Sequence, residues 1–165
     1  MKLELILPKR RDEKMMGRAP CPPLGLGVVA ALTPDDVDVS LTDERISVID
    51  FQKDIDLVGI GALTTTAPRA YAIADTLRAR GIKVVLGGVH PSILPGEASH
   101  HADAVVIGEA EGIWPKVIDD FKAGRLENFY THEEPPSLIG WPSARRDLFA
   151  KSGYFLKTVM STSRG

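Results

Sequence analysis

Leu57-Val58-Gly59-Ile60-Gly61-Ala62-Leu63 is apolar at every position. A strand with one wet face would alternate apolar and polar residues. A run apolar on both faces suits a central strand of a parallel sheet covered by helices on each side. The next residues agree with that reading. Thr64-Thr65-Thr66 supplies hydroxyl residues suited to opening a helix, and Ala70, Ile73, Ala74 and Leu77 recur at spacings of three and four. Gly81 then offers a residue that accepts the left-handed conformation past a helix end. Ile82 to Leu86 is a second such strand, entering Gly87-Gly88, and Ala104-Val105-Val106-Ile107 is a third, entering Gly108-Glu109. Trp114, Val117, Ile118 and Phe121 mark a final amphipathic helix that Gly124 stops.

Upstream, Lys2 to Leu7 alternates with Leu3, Leu5 and Leu7 apolar, a half-buried strand that Pro8 ends. Residues 9–21 are basic and contain Gly17 and Pro20, so they read as a long loop. Pro22-Pro23 opens a helix over Leu24 to Leu32, where proline's missing N–H costs nothing, and Thr33-Pro34 closes it. Val37, Val39 and Leu41 alternate with polar residues as on an edge strand. Strands alternating with helices predict parallel βαβ units with right-handed crossovers. Five strands within residues 1–125 predict an α/β, flavodoxin-like (Rossmann-like) three-layer sandwich around a mainly parallel sheet. Residues 126–165 change character at Pro135-Pro136, Pro142 and Arg145-Arg146 and read as a linker, with Tyr154 to Met160 a strand that nothing in the chain completes. The C-terminus reads as a cut.

Composition bounds the function. The 165 residues are 44% hydrophobic and 25% charged, which is globular and argues against disorder. The single cysteine, Cys21, excludes a disulfide framework and any thiolate metal cluster built from this chain alone. No apolar run approaches the ~18 residues of a membrane span. The first residues carry Glu4 inside a short apolar run and make a poor signal peptide, so the expected location is cytoplasmic. A net charge of −2 gives no reason to expect nucleic acid as a partner. The charge is nevertheless blocked: residues 1–20 hold six bases against three acids, and residues 35–58 hold eight acids against two bases. Such blocks read chiefly as solvated surface.

In open α/β sheets ligands bind beyond the carboxyl ends of the strands. Those positions here are Pro8–Gly17, Thr64–Thr66, Gly87–Pro91 and Gly108–Glu111. Glycine there exposes backbone N–H groups and admits a ligand closely, and threonine hydroxyls at a helix start suit a phosphate. Glycines that merely turn the chain and threonines that merely cap helices explain each site alone; three such sites on one edge favour a bulky ligand carrying a phosphate. Gly25-Leu26-Gly27-Val28-Val29-Ala30 matches a dinucleotide fingerprint but stands far from the first strand, so small residues for packing explain it better. His100-His101 beside Asp103 lacks a further ligand at helical spacing and reads as a solvated helix end. His90 is either a pocket wall or a hydrogen-bond donor that steadies its loop. Glu109 and Glu111 are either a carboxylate pair or partners of the last helix's N-terminus. No nucleophile–base pair is present, so neither a catalytic residue nor a metal ligand is assigned.

Taken together, Pro22-Pro23-Leu24-Gly25-Leu26, Asp56-Leu57-Val58-Gly59-Ile60, Gly87-Gly88-Val89-His90-Pro91 and Gly108-Glu109-Ala110-Glu111 resemble the N-terminal cobalamin (vitamin B12)-binding domain of class B radical S-adenosylmethionine (radical SAM) enzymes. That group includes methyltransferases and the anaerobic magnesium-protoporphyrin ester cyclase type. Arg145-Arg146-Asp147-Leu148, Tyr154 and Thr162-Ser163-Arg164-Gly165 resemble the approach to its radical barrel, with the cluster-binding cysteines due just beyond. The resemblance implies that cobalamin is held by Thr64, Thr65, Thr66, Gly87, Gly88, Val89, His90, Gly108, Glu109 and Glu111. No histidine has an Asp two residues before it and a Gly three after, so the resemblance implies base-off cobalamin without a protein imidazole. It further implies a missing C-terminal radical SAM domain with a [4Fe-4S] cluster and S-adenosylmethionine, and methyl-transfer or cyclase chemistry there rather than in this chain. The alternative expectation is a scaffold or docking domain of the same fold that no longer binds cobalamin; a nucleotide or flavin binder is a third. A bulky residue at Gly88 is expected to close the site and leave the fold intact.

Overall fold

Six parallel strands make up the sheet: β1 (Lys2–Leu7), β2 (Asp38–Asp43), β3 (Leu57–Gly61), β4 (Lys83–Gly87), β5 (Ala104–Ile107) and β6 (Phe129–Thr131). Their spatial order is β2-β1-β3-β4-β5-β6. This computed structural model describes residues 1–10, 19–134, 136–137 and 139–161. The expectations placed on residues 11–18 of the basic loop, on Pro135 and on Thr162-Ser163-Arg164-Gly165 lie outside the described residues.

β3 is the central strand its composition predicts. Val58 and Ile60 point to one apolar cluster, shared with Ala70, Ile73, Ala74 and Leu77 of α2 (Ala67–Arg78). Leu57 points to the other, shared with Leu26 and Ala30 of α1 (Leu24–Ala31) and with Trp114, Val117 and Ile118 of α5 (Trp114–Lys122). The short α3 (Val89–Ile93) and α4 (Pro95–Ser99) join the α2 side, where Ala98 is fully buried. Each enclosed aliphatic side chain, such as Leu57, Leu86 or Ile118, contributes about 1.5–3 kcal/mol on leaving water. The three-layer α/β sandwich is therefore as expected. Among the described residues no helix is long and apolar enough to cross a membrane.

Three expectations need correcting. The sheet has a sixth strand, β6, inside the stretch read as linker. Three residues are too few to display alternation, and only Tyr130 faces inward. Its hydroxyl donates to Asp120 Oδ2 at 3.1 Å and accepts from Glu127 N at 3.0 Å, which pins the strand to α5. Tyr154 to Met160 is not a strand: Tyr154 forms one isolated bridge with Ala19. The backbone there straps the chain near its start, with Ala19 N donating to Gly153 O at 2.7 Å, Phe155 N to Ala19 O at 3.0 Å and Leu156 N to Pro20 O at 2.9 Å. Nor do the crossovers share one hand. β1–α1–β2 steps toward one edge and β3–α2–β4 toward the other, with their helices on opposite faces, so these two units have the same hand. β5–α5–β6 follows the second direction, yet α5 lies on the α1 face, which gives it the opposite hand. With α2, α3 and α4 on one face, α5 is what covers Leu57, Val85 and Val106 on the other.

All three tyrosines titrate above the ordinary phenol value. For Tyr71 burial is the main cause and the Glu97 carboxylate the second; for Tyr130 and Tyr154 burial leads, aided by Asp120 and Asp43. The fold thus favours the neutral phenols, and their contribution is complete below the unfolded value of about 10 and lost as pH rises through the folded values. We expect the thermal midpoint to fall above about pH 10. Tyr154→Phe should flatten part of that fall while costing about 0.5–1.5 kcal/mol at neutral pH through the lost bond to Asp43. Thermal denaturation across pH checks both.

Candidate functional site

β1 connects toward one edge of the sheet and β3 begins the march toward the other, so the strand order switches between β1 and β3. At the carboxyl ends beside this switch lies a cleft of about 610 Å³. That volume falls within the roughly 300–1,000 Å³ of small-molecule sites. Its lining is mostly apolar side chain and bare backbone.

The floor is a patch of glycine. Gly59 and Gly61 alternate along β3 and so share a face, and the register sets Gly61 beside Gly87 of β4. A Cβ at Gly59 would stand 2.9 Å from Leu5 Cδ2 and 3.2 Å from the Trp114 ring; one at Gly61 would stand 3.2 Å from Leu26 Cδ2. Side chains here would spread the two walls or fill the space between them. The facing wall is α1, which presents Gly25, Leu26, Val28 and Val29 to the cleft. α1 lacks a side-chain cap on its N-terminus, and each of its glycines weakens it by about 0.5–1 kcal/mol. Packing compensates. Trp114 Nε1 donates to Thr33 Oγ1 at 2.8 Å and Thr33 Oγ1 donates to Val29 O at 2.9 Å, tying the end of α1 to α5. On the outer side Arg145 N donates to Gly27 O at 2.8 Å, and the Phe149 ring lies where a Gly27 Cβ would be, 2.7 Å away. The pair Gly25 and Gly27 thus serves packing and the cleft, not a dinucleotide turn.

Of the sequence-assigned residues, Gly87, Gly88, Val89, Gly108, Glu109 and Glu111 line the cleft. Thr64, Thr65, Thr66 and His90 do not. Thr66 Oγ1 accepts from Leu63 N at 3.0 Å and donates to Leu63 O at 3.2 Å, so its hydroxyl is spent inside its own turn. Thr64 Oγ1 lies 3.3 Å from His90 Nδ1, and Thr65 is exposed. His90 is 6% exposed, with Nε2 3.2 Å from Glu97 Oε1. It steadies its loop and is not a cleft wall. The His90 ring first and the neighbouring Tyr71 hydroxyl second hold the Glu97 carboxyl below the usual carboxylate range. His101 is stacked on Tyr71 with ring centroids 4.3 Å apart, with Nδ1 2.9 Å from Asp75. None of the four histidines lines the cleft. Among the described residues no group of three or more His, Cys, Asp or Glu side chains is placed to hold a metal ion.

Arg45 and Cys21, which no pattern in the sequence marks as site residues, also stand at the cleft. Arg45 sits in the acidic block just after β2, where a base among acids reads as surface. It is instead four-fifths buried and clamped by Asp43: Nε to Oδ1 at 2.9 Å and Nη2 to Oδ2 at 2.6 Å, with Nη2 also donating to Cys21 O at 2.9 Å. Burial works against the charge of Arg45, but the hydrogen bonds and charge of Asp43 outweigh it and raise the guanidinium above its ordinary value. Asp43 also accepts from Tyr154 Oη at 3.1 Å.

The chain belongs to the B12-binding domain family, whose model, the B12 binding domain, matches residues 18–118. It is 44% identical over 116 residues to the bacteriochlorophyllide d C-8(2)-methyltransferase of Chlorobaculum tepidum, covering 70% of this chain and 26% of that protein. It is 37% identical over 130 residues to the bacteriochlorophyllide d C-12(1)-methyltransferase of the same organism, covering 76% and 28%. An uncharacterized methyltransferase of Pyrococcus horikoshii is 30% identical over 161 residues, covering 82% and 35%. The chain thus spans about a quarter to a third of the length of these relatives.

The geometry also changes what a glycine substitution tests. Gly88 has φ +93°, and a Cβ there would stand 2.9 Å from Ala62 O, a backbone atom that cannot yield. Gly88→Ala should cost about 1–3 kcal/mol in folding stability, so a bulky residue there would not leave the fold intact. Gly25 has open space beyond its Cβ position and a helical backbone. Gly25→Ala should be neutral or stabilising by up to about 1 kcal/mol. Urea denaturation of the two variants checks the contrast.

Proposed function

We propose that the cleft holds cobalamin, with the nucleotide tail threaded between α1 and the glycine floor and the corrin ring over the strand ends, base-off and without a protein imidazole. The observation that carries this reading is the open space itself. At the switch in strand order, Gly59, Gly61 and Gly87 withhold the side chains that would otherwise fill a layer between sheet and helix. The fit is chemical as well as steric. A largely apolar slot suits an aromatic base, and the exposed apolar Leu63 and Val89 beside Gly88 suit the face of a macrocycle. The absence of any histidine from the lining supports the His-off state.

Within this reading the residues have separate tasks. Trp114 and Leu5 close the bottom of the slot and exclude water from it. Leu26, Val28 and Val29 enclose the tail from the α1 side. Gly88 and Gly108, both at positive φ, turn the chain away so that the strand ends remain accessible. Cobalamin supplies methyl-transfer chemistry when bound. The parent protein is a radical SAM enzyme whose [4Fe-4S] cluster and S-adenosylmethionine are held outside residues 1–165. The names of the Chlorobaculum tepidum relatives support methyl transfer over cyclase chemistry.

The test is incubation of the purified chain with hydroxocobalamin followed by gel filtration. A stoichiometric corrin spectrum of base-off type should travel with the protein. Cys21, the sole cysteine, lines the cleft and should be alkylated more slowly when the cofactor is present. Gly25→Leu should lose retention with its denaturation midpoint unchanged. Clean separation of protein from corrinoid overturns the proposal in favour of a scaffold, and retained adenine or flavin absorbance overturns it in favour of a nucleotide site.

A further inference from the structure

The described lining of the cleft places its basic and acidic side chains at opposite ends. Among its described lining residues Arg45 is the single lysine or arginine, and it stands at the β2 end. Glu109 and Glu111 stand at the β5 end. In the order β2-β1-β3-β4-β5 these ends are four strand spacings apart, roughly 19 Å. Arg45 is thus the cationic side chain that a ligand's anionic group can meet in the described lining.

Arg45 is also prepared to receive that group. Its Nε and Nη2 are committed to Asp43 and Cys21 O, whereas Nη1 has no hydrogen-bond partner among the described residues. The Asp43 clamp holds the guanidinium plane, so presenting its remaining donors loses little side-chain entropy. Asp43 itself is quenched by several donors, namely Arg45, the Arg45 backbone N–H at 3.0 Å and Tyr154 Oη. Of the hydroxyls that the sequence offered for a phosphate, Thr66 is spent on Leu63 and Thr64 faces His90, and Thr65 is exposed outside the cleft lining.

We propose that Arg45 binds the phosphodiester of the corrinoid's nucleotide loop, and so makes this cleft select corrinoids that carry the loop over those that lack it. The inference rests on the cobalamin reading and deepens it. A charge-assisted hydrogen bond from a partly buried arginine to a phosphate oxygen is worth about a 10- to 100-fold change in affinity. The corrin ring and its cobalt are not involved.

Dicyanocobalamin and dicyanocobinamide separate the contributions, because they share the ring and both axial ligands and differ in the nucleotide loop. Binding of each is followed by visible absorbance with wild type, Arg45→Gln, Arg45→Lys and the charge-neutral double variant Asp43→Asn/Arg45→Gln. Wild type should bind cobalamin at least about 10-fold more tightly than cobinamide. Arg45→Gln should weaken cobalamin about 10- to 100-fold and leave cobinamide within about twofold. The double variant, which leaves no unpaired buried carboxylate, should repeat that selective loss if Arg45→Gln is poorly folded. Arg45→Lys, which keeps the charge and the Asp43 pair, should recover part of it. Equal weakening of both corrinoids means that Arg45 only shapes the wall, and unchanged cobalamin binding means that it makes no such contact; either overturns the inference. Wild type that binds both corrinoids equally overturns it too. Wild type that binds neither overturns the cobalamin reading instead.

Discussion

Everything at the carboxyl edge follows from what β3 and β4 leave out. Leu57, Val58 and Ile60 place full-sized side chains in the two cores, but Gly59, Gly61 and Gly87 leave one face of the adjoining strands bare. A parallel sheet normally fills such a layer with branched side chains, and close packing leaves few voids larger than a water molecule. Here α1 is held opposite a glycine patch and the layer stays open. Trp114 sets its depth by standing over Gly59 and anchoring Thr33.

The wall opposite that floor is a weak helix by its own sequence. α1 runs Leu24-Gly25-Leu26-Gly27 with no side-chain cap. It stays helical because other parts of the chain grip it from three directions: the Pro22-Pro23 start, Trp114 through Thr33, and Phe149 over Gly27. The segment that looks like linker is thus a structural member of the cleft. The glycines that would destabilise a free helix are what let Phe149 approach from outside and a ligand from inside.

The architecture was legible because buried parallel strands and amphipathic helices leave periodic traces: Lys2–Leu7, Leu57–Gly61 and Trp114–Lys122 fall where periodicity places them. β6 was not legible, since one inward tyrosine in three residues makes no pattern. Gly87, Gly88 and Gly108 were readable as strand-end glycines, whereas Gly59 and Gly61 of the floor were hidden inside an apolar strand. Thr64, Thr66 and His90 stand outside the cleft lining, because sequence gives their distance along the chain but not the face of the sheet to which their loop delivers them. Arg45 was invisible for the converse reason. Its role depends on Asp43 two residues earlier, on Cys21 well before it and on Tyr154 far beyond it, and no local pattern encodes that meeting.

Asp43 is where that meeting becomes mechanical. One carboxylate serves the guanidinium at the cleft and the phenol of the strap, and Tyr154 reaches it across 111 positions of sequence. Pulling residues 153–156 away from Ala19 and Pro20 must either snap the phenol from the acid or drag the acid with it. In the second case the guanidinium moves too, so tension in the C-terminal segment is felt as a shift of positive charge at one end of the slot.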